Sequence, residues 1–300
     1  MFLEKDANIG SLEIIGSNET DARINGFDNI DVKINEHVSW CDIVYSGRPC
    51  FSLPILSDFV NFQNGIYLEN QRRKDAGENL IKFNVLGTAH PRVFSLGGDL
   101  GLFISAIKNK DKDLLQRYAR RCIEAIYNHW YGFGSNVITI ALVQGSALGG
   151  GMECAMSSGI VIAERGTQFG LPETLFSLFP GMGAYPFLAA KLGMAQAEKI
   201  ILSGRLYSAE EMYEMGLVNQ VVEPGSGVEA VSEFIQKNMN KYNALASILQ
   251  QRRRYFHVSL NSLLCDVSSW VDTAMALGER DLIRMSKLVA AQTRLDKECF

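Results

Sequence analysis

Three hundred residues allow one large domain, or a domain with an appendage. With 47% hydrophobic and 21% charged residues there is ample material for a core, and a net charge of −4 without a basic tail argues against a generic nucleic-acid binder. No apolar run approaches the roughly 18 residues needed to span a bilayer. The opening MFLEKDANIG is polar and does not read as a signal peptide, so a cytoplasmic protein with no membrane span is expected.

Six cysteines (Cys41, Cys50, Cys122, Cys154, Cys265, Cys299) show no C-x-x-C spacing, and four dispersed histidines form no H-x-x-x-H pair. Reduced thiols, no metal site and no cofactor are expected.

In chain order, residues 1 to about 35 carry turn formers (Gly10, Gly16, Asn25, Gly26) and short alternating stretches, an extension with a strand or two laid on the core. Val38–Tyr45 is predicted as a strand stopped by Gly47 and Pro49. Residues 54–75 have helical spacing and end in Arg72, Arg73 and Lys74, favourable charges for a helix C-terminus. A strand is predicted at Leu80–Leu86, followed by a long loop, GTAHPRVFSLGGDL, from which Asp99 caps a helix. A second helix runs from Lys112 to Tyr131. Val137–Val143 is a continuous apolar run, as in a strand covered on both faces. Glycines 149–151 then open a short helix that Gly159 ends, and IVIAER is another buried strand. A Pro172-Glu173 corner follows, then a helix over MAQAEKIILSG. Ser208 and Glu211 have capping-box spacing. From Val228 onward the chain is largely helical. This strand–helix alternation predicts an α/β fold with parallel strands.

The chemistry concentrates in Gln144–Glu173. Gly149-Gly150-Gly151 follows a buried strand and opens a helix, where backbone can approach a ligand and unpaired N–H groups face it. That suits a developing oxyanion. Close strand–helix packing would explain the glycines as well, and neither nucleotide-loop motif is matched. SLGGDL at 95–100 is a second glycine turn between strand and helix, so two N–H groups from separate turns could converge on one oxygen. Glu153 in the first helical turn and Glu173 in the corner have apolar flanks, which favours raised pKa values and acid/base work. Taken singly, Glu153 could be a helix-dipole charge and Glu173 an exposed loop residue. Ser146 lacks the G-x-S-x-G frame, and Cys154 has no histidine nearby in sequence. Arg252-Arg253-Arg254 reads as a solvated helix face, with carrier phosphates as the other reading.

SLGGDL, QGSALGGGMECAM at 144–156 and FGLPET at 169–174 together resemble the crotonase (enoyl-CoA hydratase/isomerase) superfamily. The resemblance implies a crotonase-like spiral of ββα units, with a core at 36–225, the extension at 1–35 and a C-terminal helical region at 226–300 serving as lid or oligomer contact. It implies oxyanion donors at Leu96 (or Gly97) and Gly150, and Glu153 and Glu173 as the catalytic pair. LGTAHPRVFSLGGDLGLF, WYGFG at 130–134 and LPETLFSLFPGMGAYPFLAAKLG at 171–193 are most similar to the bacterial diffusible signal factor synthases. That implies dehydration of a 3-hydroxyacyl chain on acyl carrier protein (or coenzyme A) to a cis-2-enoyl thioester, then hydrolysis to a free signal acid. A coenzyme A-dependent enoyl hydratase is the alternative. The resemblance also implies a homotrimer or hexamer and a sensor-kinase receiver domain as regulator. Leu148, Gly149, Met152, Phe169, Leu171, Leu175, Phe179, Met182 and Trp270 are the candidate acyl-tunnel residues, with plain core packing as the other reading of the apolar ones.

Overall fold

A computed structural model describes residues 14–15, 22–24 and 26–297, with side chains over 26–294. The turn residues expected at Gly10, Gly16 and Asn25 lie outside these, as does Cys299. The described strands are β1 (Ile14–Ile15), β2 (Ala22–Ile24), β3 (Ile30–Ile34), β4 (Val38–Ile43), β5 (Phe83–Thr88), β6 (Val93–Ser95), β7 (Ile138–Val143), β8 (Ser146–Leu148), β9 (Ile160–Glu164), β10 (Gln168–Gly170), β11 (Leu206–Ser208) and β12 (Gln220–Val222). Among the described residues they form one sheet in the order β1-β2-β3-β4-β5-β7-β9-β12 and a smaller one in the order β11-β10-β8-β6. The helices are α1 (Leu53–Ala76), α2 (Leu100–Lys108), α3 (Lys112–Trp130), α4 (Gly150–Ser157), α5 (Ala184–Leu192), α6 (Met194–Ser203), α7 (Ala209–Glu214), α8 (Gly227–Met239), α9 (Tyr242–Tyr255), α10 (Leu260–Met275) and α11 (Glu279–Lys297).

The fold is α/β, and the strands from β4 through β5, β7 and β9 to β12 are parallel, as the alternation predicts. The continuous apolar runs of β7 and β9 follow from cover on both faces. Ile138, Ile140, Leu142, Ile160 and Ile162 pack against α8 and α9 through Val231, Ile235 and Leu249. Ala141, Val143, Val161 and Ala163 turn the other way, into the main core with α1, α3 and α4.

Several boundaries move for identifiable reasons. The strand predicted from Leu80 begins at Phe83, because Asn70 holds the backbone of Ile81 at both N–H (2.8 Å) and carbonyl (3.0 Å). The loop after β5 contains β6, which pairs with β8. The last helical stretch breaks at Ala276–Gly278, between α10 and α11. The caps are as predicted. Asp99 accepts the N–H groups of Gly101 (3.0 Å) and Leu102 (3.1 Å), and Ser208 and Glu211 form a complete capping box.

The small sheet positions the site. Strands β6, β8 and β10 are parallel, with Ser95 opposite Ala147 and Leu148 opposite Gly170. Each strand leaves the sheet at its carboxyl end into one of the three singled-out segments: SLGGDL, the glycine triplet, or the Pro-Glu corner. Ligand sites in parallel sheets form at carboxyl ends for this reason.

Candidate active site

Gly149 caps α4 with a positive φ of 52°, and its N–H donates to Gly170 O at 2.8 Å, tying the glycine triplet to the end of β10. A Cβ on Gly149 would lie 2.6 Å from Glu173 Oε1, so the absence of a side chain is what lets the Glu173 carboxylate lie there. Glu173 sits in a short 3-10 turn, Pro172–Phe176, started by the proline. The residue is half-buried, but its Oε2 is enclosed and has no hydrogen-bond partner.

Glu153 is 2% exposed. Its Oε1 accepts two backbone N–H groups, from Met182 at 2.7 Å and Ala184 at 2.9 Å. Burial, then the neighbouring Glu173 charge, pushes Glu153 up to about 8 despite these two bonds. Burial raises Glu173 to about 7. The charge of one opposes ionisation of the other, which favours a state with one proton between them near neutrality. Such a pair can offer one acid and one base at the same pH.

The two glycine turns touch. A Cβ on Gly97 would lie 2.8 Å from Leu148 O and 2.9 Å from Gly150 N, and one on Gly150 would lie 3.6 Å from Gly98 N. The donor assignment from the sequence needs one correction. Leu96 N–H is taken by Pro49 O at 2.7 Å, and Gly97 N–H by Ser95 Oγ at 3.2 Å, so neither is available. Among the described residues, no acceptor takes the N–H of Gly98 or of Gly150, the latter lacking an intrahelical acceptor as the first residue of α4. The pair able to hold one oxygen is Gly98 with Gly150.

Both glutamates, Gly98 and Gly150 line one cavity of about 330 Å³. Of the tunnel residues expected from sequence, Leu148, Gly149, Leu175, Met182 and Trp270 line it. Met152, Phe169, Leu171 and Phe179 do not. The first three are wholly buried in the core, and Phe179 packs on its edge. Met152 directly precedes Glu153 on α4, and the helical turn sends the two side chains in different directions. Sequence reasoning passed over Phe103, Tyr118, Ala119 and Cys122, whose helical spacing marks them only as core, and Leu288 and Gln292 on α11. The arginine run is not a solvated face. Arg253 is 6% exposed, Arg252 lies 5.2 Å from the centroid of the Trp130 ring, and only Arg254 is exposed. None of the three lines the cavity.

Residues 75–260 match the enoyl-CoA hydratase/isomerase family model. The chain belongs to that family. It is 31% identical over 193 residues to a probable enoyl-CoA hydratase of Bacillus subtilis, covering 62% of this chain and 70% of that one. It is 27% identical over 248 residues to the probable mitochondrial enoyl-CoA hydratase 2 of Arabidopsis thaliana, covering 81% of this chain and 74% of that one. Among solved structures it is similar to Pseudomonas aeruginosa DspI, with 26% identity and a TM-score of 0.66 over 82% of this chain and 88% of that one. The mixed α/β architecture is that of this family.

Proposed function

We propose that this member of the family dehydrates a 3-hydroxyacyl thioester to a cis-2-enoyl thioester and then hydrolyses the thioester, releasing a cis-2-unsaturated signal acid. The observation that carries the chemistry is the pair Glu153 and Glu173, both raised to near neutrality, on a cavity wall shared with the unbonded N–H groups of Gly98 and Gly150. The ionised glutamate takes the α-proton. Charge passes to the thioester oxygen, where the two N–H groups stabilise it. The protonated glutamate gives its proton to the 3-hydroxyl as the C–O bond breaks, and water leaves. For hydrolysis a carboxylate takes a proton from the attacking water, the same N–H pair holds the tetrahedral oxyanion, and the protonated carboxyl passes that proton to the departing thiolate.

Acyl carrier protein as the carrier, a trimeric or hexameric assembly and a receiver-domain regulator belong to this reading through the motif resemblance. The names of the sequence relatives favour a second reading, hydration of an enoyl-CoA, which runs the first half-reaction backwards on the same groups. The two separate cleanly by mass spectrometry of purified enzyme with 3-hydroxyacyl-carrier protein and with trans-2-enoyl-CoA. Free cis-2-unsaturated acid from the first supports signal synthesis. Rapid hydration of the second with no free acid from either would overturn it in favour of the hydratase.

A further inference from the structure

Besides the glutamates and glycine turns, the cavity lining is largely apolar. Leu175 and Leu206 on that lining are 54% and 44% exposed. The same lining carries the buried Phe103, Tyr118 and Trp270. Phe103 meets Tyr118 edge-on at 5.0 Å and Trp270 at 5.1 Å between ring centroids. This wall is wedged in place. The Phe103 ring fills the space over Gly98, 2.7 Å from where a Cβ would sit, and Trp270 fills that over Gly181, at 2.5 Å. Tyr118 Oη donates to Phe51 O at 2.7 Å and accepts Asp99 N–H at 3.2 Å. The rings thus cannot shift toward Gly98 or Gly181 without pressing on the donor turn or on the loop that holds Glu153.

Beside Tyr118 the lining carries two small side chains on the same face of α3, Ala119 and Cys122, one turn apart and both buried, where a longer side chain would take space from the cavity. We propose that Ala119 and Cys122 are specificity-determining residues that set the length of acyl chain accepted, beside the fixed Phe103–Tyr118–Trp270 wall. This rests on the acyl-thioester reading above, but not on which reaction the glutamates run. Each methylene that loses its place in an apolar chamber weakens binding about fourfold, and two about fifteenfold.

The test is calorimetric binding of a series of straight-chain acyl-pantetheine thioesters, the portion common to both carriers, to full-length wild type, Ala119→Leu and Cys122→Ala. Ala119→Leu is expected to weaken the longest well-bound chains by about tenfold or more relative to chains two carbons shorter. Cys122→Ala, which only removes volume, is expected to move the limit to longer chains. The same length profile in all three proteins overturns the proposal, as does uniform weakening at every length or no binding by wild type. Because no turnover is needed, a wild type that releases no free acid sinks signal synthesis while leaving the length profile to be read.

Discussion

The raised pKa values of Glu153 and Glu173 come from burial, which in Glu153 contends with hydrogen bonding. Two backbone N–H bonds to Glu153 favour its charged form, yet burial and the second carboxyl outweigh them. Turnover is therefore expected to be bell-shaped in pH, with its maximum between about 7 and about 8, measured as kcat across pH. Glu153→Gln and Glu173→Gln should each lower kcat by about 10²–10⁴-fold in the dehydration assay. The same shifts set a sign for stability. Unfolding returns both groups to the ordinary value of 4.5, so the native state binds more protons from there up to about 8. The stability linked to these protons is present below about 4.5 and is lost as pH rises through about 7 and about 8. Urea midpoints at about pH 5.5 and about pH 8.5 should fall more in wild type than in Glu153→Gln, which has no proton to lose there. The glutamates were legible in sequence as acids beside apolar residues and glycine turns. The first candidate oxyanion donor was not, because three successive N–H groups in SLGGDL look alike until Pro49 and Ser95 are seen to take two of them.

The elements were legible wherever local chemistry decides them. Asp99 and Ser208 carry side chains that satisfy orphan N–H groups within one turn, so their caps needed no tertiary context. Asp99→Ala is expected to destabilise by about 1 kcal/mol, read as a lower thermal midpoint, and more if loss of the Arg48 bridge at 2.9 Å adds to it. The glycine turns carry the stronger demand. Gly97 has φ of 91°, and a side chain there would press on the backbone of Leu148 and Gly150 rather than on a movable side chain. Gly97→Ala should push the two donor turns apart and lower kcat by about 10²–10³-fold, the typical effect of losing one oxyanion donor. Single-turnover kinetics, with binding measured separately, checks this; unchanged kcat would mean the donors do not act together.

The cavity is built by distant parts of the chain. α2 and α3, the corner after β10, the segment before α5, and α10 and α11 all contribute to its lining. Leu288 on α11 lies 115 positions beyond Glu173, yet both face the same space. Leu288→Asp would place a charge in an apolar chamber, and it should raise KM for long-chain thioesters tenfold or more with a smaller change in kcat. The sequence by itself determined the alternation of strands and helices, the caps, the glycine turns and the two acids, because each depends on periodicity or on residues within a few positions. Tertiary structure alone decided that Met152, Phe169 and Leu171 belong to the core, that Arg253 is buried, that Gly98 rather than Leu96 has a free N–H, and that α3 and α11 wall the chamber. Those outcomes depend on which segments meet across a sheet, and one-dimensional spacing carries the same helical pattern for a residue that lines a cavity as for one that fills a core.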